Sequence, residues 1–133
     1  MSFKLDFKKA ADKALEDTAD IMRGSVIQLF ENVIASTPVG NPIVWKDPES
    51  APKGYTGGSL RGGWYVTFSS QSVKVNDSPS RKNKGASQMK GKIKKAQLQK
   101  TYILTNNLPY ANIVEYGGWS VSRPEGMVRV NTA

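Results

Sequence analysis

The stretch from residue 7 to residue 35 constrains the fold more than any other part of the chain. Apolar or small side chains recur at Ala11, Leu15, Thr18, Met22, Val26, Leu29 and Val33, with gaps of 4, 3, 4, 4, 3 and 4. That spacing lays a stripe along one side of an α-helix. Ile27, Phe30 and Ile34 widen the stripe, so the C-terminal half is expected to be the more deeply buried end. The charges Lys8, Lys9, Asp12, Lys13, Glu16, Asp17 and Asp20 fall mostly off it. Asp12 and Glu16 are like-charged four-residue neighbours, whereas Lys13 and Asp17 attract. A helix of about 29 residues is roughly 43 Å long at about 1.5 Å per residue. Gly24 weakens it by about 1 kcal/mol relative to alanine. Pro38 disfavours helical geometry in the residue before it, which sets the end near Ser36 and Thr37.

A helix this long needs something to pack on, and the downstream sequence supplies short strands. Trp64, Val66 and Phe68 alternate with Tyr65, Thr67 and Ser69, the pattern of a half-buried strand. Val73 and Val75 share a face across 72–76, and Ser69-Ser70-Gln71 offers a reversal, so 63–76 reads as a β-hairpin. Residues 101–106 read as a third strand. Residues 109–116 read as a short helix, with Pro109 at its first position and Gly117 just past its end; a strand is the alternative for 110–116. Residues 37–61, dense in Pro and Gly, read as one long loop, with Ile43-Val44-Trp45 as an apolar run inside it. Residues 78–100 read as a second, basic loop. Arg123-Pro124-Glu125-Gly126 is a turn, and there is no internal repeat. The expected architecture is one α+β domain over 1–133. A long N-terminal amphipathic helix packs on a small antiparallel sheet, with a short second helix and two long loops.

Composition narrows the chemistry. The 133 residues include no His and no Cys. A disulfide, a thiolate metal ligand, a cysteine nucleophile and a Ser-His-Asp triad are therefore excluded, along with the commonest general acid–base group. No catalytic residue, metal site or cofactor is expected. Gly57-Gly58-Ser59-Leu60-Arg61-Gly62-Gly63 has the glycine spacing of a phosphate loop. Gly63 and Trp64 stand where that chemistry needs Lys and then Ser or Thr, and a strand follows rather than a helix. Glu115 and Glu125 lie near two turns without a partner at fixed local spacing, and Asp47 and Glu49 lack the pattern of a calcium loop. The N-terminus has no signal-peptide core, and no apolar run approaches a membrane span, so a soluble protein made in a cytosol is expected.

Charge is the informative quantity. The net charge is +8, and Arg81, Lys82, Lys84, Lys90, Lys92, Lys94, Lys95 and Lys100 account for all of it, with no acid between residues 78 and 100. Three readings of this tract stand side by side: a solvated loop, a contact with DNA phosphates, and a contact with an acidic partner surface. The tract contains no aromatic residue, which argues against stacking on single-stranded bases. Trp45 and Trp119 lie in Gly/Pro-rich segments and are candidate interface anchors, with burial under a loop as the equal alternative. Arg61 joins them as an interface candidate.

Four segments, in order, carry a resemblance. They are Ser36-Thr37-Pro38-Val39 after the long helix, then Thr56-Gly57-Gly58-Ser59-Leu60-Arg61-Gly62-Gly63-Trp64 opening a strand, then Tyr110-Ala111-Asn112-Ile113-Val114-Glu115-Tyr116-Gly117, and then Arg123-Pro124-Glu125-Gly126-Met127. Together they resemble the lambdoid tail-component family of long-tailed bacteriophages, the neck or tail-completion proteins, over about residues 7–130. Two departures stand out. About 16 residues (Gly40–Tyr55) separate the first two segments, where the family has few. The family pattern also continues into a C-terminal helix after the last segment. The resemblance implies a virion structural protein without an active site. Six copies, or alternatively twelve, would form a ring at the head–tail junction, assembled in the bacterial cytoplasm. Implied partners are other copies of the chain, a head connector or stopper protein, a tail terminator or tail-tube protein, and the passing genomic DNA, with no membrane. A tail-terminator ring protein and a DNA-binding module using 78–100 are the alternatives. The two loops are the expected contact surfaces, with 78–100 ordering only on assembly.

Overall fold

The structure, a computed structural model, describes residues 3–40, 43, 47–51, 53–75, 84–117 and 124–132, with side chains from residue 6 onward except that of Lys84. Its architecture is α+β. The order is α1 (Phe3–Ser36), a single 3-10 turn (Pro48–Ser50), α2 (Ser59–Gly62), β1 (Trp64–Thr67), α3 (Lys84–Lys95), β2 (Ile103–Asn106), α4 (Ala111–Tyr116) and α5 (Arg129–Thr132).

Helix α1 ends where Pro38 requires. The Thr37 amide donates to Ile34 O at 3.1 Å and the Thr37 hydroxyl to Val33 O at 2.9 Å, which satisfies two of the last carbonyls. Burial follows the expected gradient: Ile27, Phe30, Val33 and Ile34 are all buried. The stripe itself is only partly used. Leu15, Met22 and Leu29 are exposed, because the rest of the domain covers only the last third of the helix, on the side of Phe30 and Ile34.

The sheet differs from the expected hairpin. β1 pairs antiparallel with β2, in the register Trp64↔Asn106, Tyr65↔Thr105, Val66↔Leu104 and Thr67↔Ile103. Residues 72–75 form no strand; Val73 is 92% exposed and Val75 is exposed too, and residue 76 lies outside the described residues. Two isolated valines between polar neighbours bury too little to hold a strand. The segment is instead fastened by the Asn107 side-chain amide, which donates to Ser72 O at 2.6 Å and Lys74 O at 2.9 Å. Phe68 closes the end of the sheet by an edge-to-face contact with Tyr102, centroids 5.6 Å apart.

The basic segment is not a loop over most of its length. Residues 84–95 are helical and pack against both α1 and β1. Met89 and Ile93, four residues apart, are buried to 1% and 0% exposure. Fully burying two such side chains contributes about 3–6 kcal/mol. Residues 78–83 lie outside the described residues, and 96–100 are irregular.

Inside the expected 37–61 loop, 48–50 form the 3-10 turn and 59–62 form α2, so the Thr-Gly segment enters β1 through a helical turn. The short second helix is confirmed as a helix rather than a strand. It starts at Ala111, so Pro109 precedes it, and Gly117 follows it with its amide on Ile113 O at 2.8 Å. Leu108, Ala111, Val114 and Met127 complete one core with Leu60, Trp64 and Val66. No helix among the described residues is long and apolar enough to cross a membrane.

Candidate interaction surface

The four singled-out segments meet in two places, and both are internal. At the first, Arg61 reaches back across 24 residues to the exit of α1. Its Nε and terminal nitrogen donate to Thr37 O at 2.9 and 2.7 Å, and the terminal nitrogen also reaches Ala35 O at 3.2 Å. A guanidinium here both satisfies orphan carbonyls and sits at the negative end of the helix dipole. Trp64 Nε1 donates to the Thr37 hydroxyl at 2.9 Å, so the fully buried threonine is itself satisfied. Gly57 has φ +84°, and a Cβ there would collide with Gly40 O and lie 2.8 Å from Val39 Cγ1. The Thr-Pro-Val-Gly exit and the Thr-Gly turn therefore require each other. Arg61, expected at an interface, holds the end of α1 instead.

At the second place, Glu115 receives the chain as it starts α5. Its Oε2 accepts from the amides of Met127 at 2.6 Å and Val128 at 2.9 Å, and its Oε1 from the amide of Arg129 at 2.9 Å. Arg129 Nε adds an ion pair at 3.3 Å, and its terminal nitrogen donates to Glu115 O. Burial pushes the Glu115 carboxyl upward, but the backbone donors and Arg129 outweigh it and leave the pKa below the ordinary value. Gly126, φ +86°, brings the chain so close that a Cβ would lie 2.6 Å from Glu115 O. The glutamate is thus a folding device. Sequence reasoning found no partner because the donors are backbone amides of residues 127–129.

The basic tract divides. Lys90 pairs with Glu31 of α1 at 2.9 Å. Lys92 donates to Val66 O at 2.8 Å and lies 5.3 Å from the Phe68 ring centre, fastening α3 to β1. Lys94, Lys95 and Lys100 are exposed and present positive charge outward. Lys84 begins α3, while Arg81, Lys82, Trp45 and Trp119 lie outside the described residues.

A cleft of about 180 Å³ runs between β1, α3 and the 72–74 segment. It is lined in part by Tyr65, Thr67, Lys74, Gln88 and Lys92, and by no carboxylate. The Thr67 hydroxyl is buried there with no partner among the described residues. Of the two lysines in this lining, Lys92 is committed to Val66 O. Among the described residues no group of three or more acids could hold a metal ion. Near α2, burial raises the Tyr110 hydroxyl pKa, the nearby Tyr55 adds to it, and a hydrogen bond with Ser59 opposes both.

Among the described residues, two surfaces combine length with a consistent character. One is the outer side of α3 with Lys94 and Lys95, and the other is the first two-thirds of α1, where no described side chain before Ile27 is buried. No protein-family model, curated protein or solved structure matches the chain.

Proposed function

We propose that this chain is a virion structural protein: a neck or tail-completion subunit that forms a ring and joins head to tail around the DNA channel. The observation that carries the reading is the convergence of the four ordered segments. Thr37 meets Arg61 and Trp64, and Glu115 meets Gly126 and Met127, so every segment behind the resemblance to the tail-component family builds scaffold. A signature made of mutually dependent scaffold residues marks a shared fold better than one made of scattered surface residues. The remaining features suit contact by shape and charge rather than catalysis: an uncovered helix arm and a lysine face.

In-vitro completion tests this. Cells producing the particle without this chain should accumulate DNA-filled heads and separate tails, and purified protein should join them into infectious particles. Joining at the normal rate without the protein overturns the reading. The tail-terminator role differs in the intermediate left behind, since tails of uncontrolled length would then accumulate. Exposed Lys94 and Lys95 favour contact with DNA as the second reading. It predicts duplex affinity that falls steeply with salt.

A further inference from the structure

One face runs the whole length of α1, but the domain covers only its end. At about 100° per residue, Leu15, Ala19 and Met22 lie on the same line as Val26, Phe30 and Val33. Downstream, Phe30 and Val33 are buried in the core, at 8% and 3% exposure. Upstream, Leu15 and Met22 are 70% and 49% exposed.

Charge labels what this upstream face fits. Asp12, Glu16 and Asp20 stand four residues apart beside Leu15 and Ala19, forming a row with a repeat of about 6 Å. Asp20 is paired with Arg23 at 2.7 Å, but among the described residues no ion pair reaches Glu16, whose four-residue neighbours are both acids. α3 carries the opposite label: Lys90 and Lys94 repeat at the same spacing, Lys95 adjoins them, and the helix holds no acid. Each row repels itself within its own helix, and each matches the other in sign and repeat. The chain already makes one such contact internally, between Lys90 of α3 and Glu31 of α1.

We infer that the upstream half of α1 is a docking arm for a second copy of this chain, laying Leu15, Ala19 and Met22 with the Asp12–Glu16–Asp20 row against the Lys94–Lys95 side of that copy's α3. The two surfaces are different, so the contact is heterologous. Repeated head to tail, it closes a ring or extends a filament. The inference rests on the ring reading for the self-association and adds which surfaces make it.

Charge reversal tests it, read by the mass of the purified full chain in low salt. Glu16→Lys gives α1 a lysine between two aspartates, and Lys94→Glu gives α3 a glutamate four residues from Lys90 that also meets the negative end of the helix dipole in the last turn. Circular dichroism and thermal unfolding of each variant separate a loss of assembly from a loss of folding, and recovery in the double variant is the control that unfolding would not give. The wild type should show a mass several times 14.6 kDa. E16K and K94E should each fall to the single-chain mass, and E16K/K94E in one chain should recover the assembly. If the wild type assembles and either single reversal leaves the mass unchanged, the arm is wrong and the ring reading stands. If the wild type stays at 14.6 kDa over the whole concentration range, the ring reading fails and takes the arm with it.

Discussion

Replacing Glu115 by glutamine removes one charge and keeps the shape, so its cost can be worked from the contacts. The oxygen of the new side-chain amide can stand in for Oε2 and keep the bonds from the Met127 and Val128 amides. The nitrogen of that amide cannot accept, so the bonds from the Arg129 amide at 2.9 Å and from Arg129 Nε at 3.3 Å are lost. A hydrogen bond to a charged group contributes about 1.5–3 kcal/mol. The guanidinium is half exposed, so its pairing contributes less than about 1 kcal/mol. Glu115→Gln should therefore cost about 1.5–4 kcal/mol in urea unfolding at pH 7. The pH dependence gives a second check. The folded-state pKa of Glu115 lies below its unfolded value near 4.5. Its charge thus contributes stability that is fully present above that value and is lost as pH falls through the lower, folded pKa. The gap between wild type and variant should be constant from pH 7 to about 5.5 and close as acid titrates the folded carboxylate. A loss under about 0.5 kcal/mol at pH 7, or a gap that does not narrow at all as the pH is lowered below the unfolded carboxyl value, would refute the capping role.

Three further substitutions probe other parts of the account. Ile93→Ala should cost about 2–5 kcal/mol in chemical denaturation, since the side chain is fully buried; a mobile basic loop would give almost no loss. Thr37→Val leaves the Trp64 indole N–H buried without an acceptor and should cost about 1–3 kcal/mol, with tryptophan fluorescence following the same transition. Gly24→Ala should stabilise by about 0.5–1 kcal/mol in the same assay, because a Cβ there meets nothing within 4 Å and the helix gains propensity.

The sequence makes α1 legible because its apolar spacing persists for many turns, and its gradient of burial follows from Ile27, Phe30 and Ile34. It does not say which half of the stripe finds a partner: Leu15 and Val33 look alike in a helical pattern, and only the placement of the domain separates them. α3 is hidden by its own charge. Four lysines surround two apolar residues, yet the four-residue spacing of Met89 and Ile93 is the helical signal that 78–100 did contain. The hairpin fails for a related reason. Alternation shows that β1 is a strand but not which strand it pairs with, and Ile103 with Leu104 buries more than Val73 with Val75. Arg61 and Glu115 stand out as motif members, but their partners are main-chain atoms, which leave no mark in residue identity.

The head–tail assignment is tested most directly by a reconstruction of the assembled phage particle at a resolution that traces α1 and the β1–β2 pair. The account predicts copies of this chain in a closed ring between the portal end of the head and the first ring of the tail. Density for it at the distal tail tip, or none in the finished particle, would contradict the account.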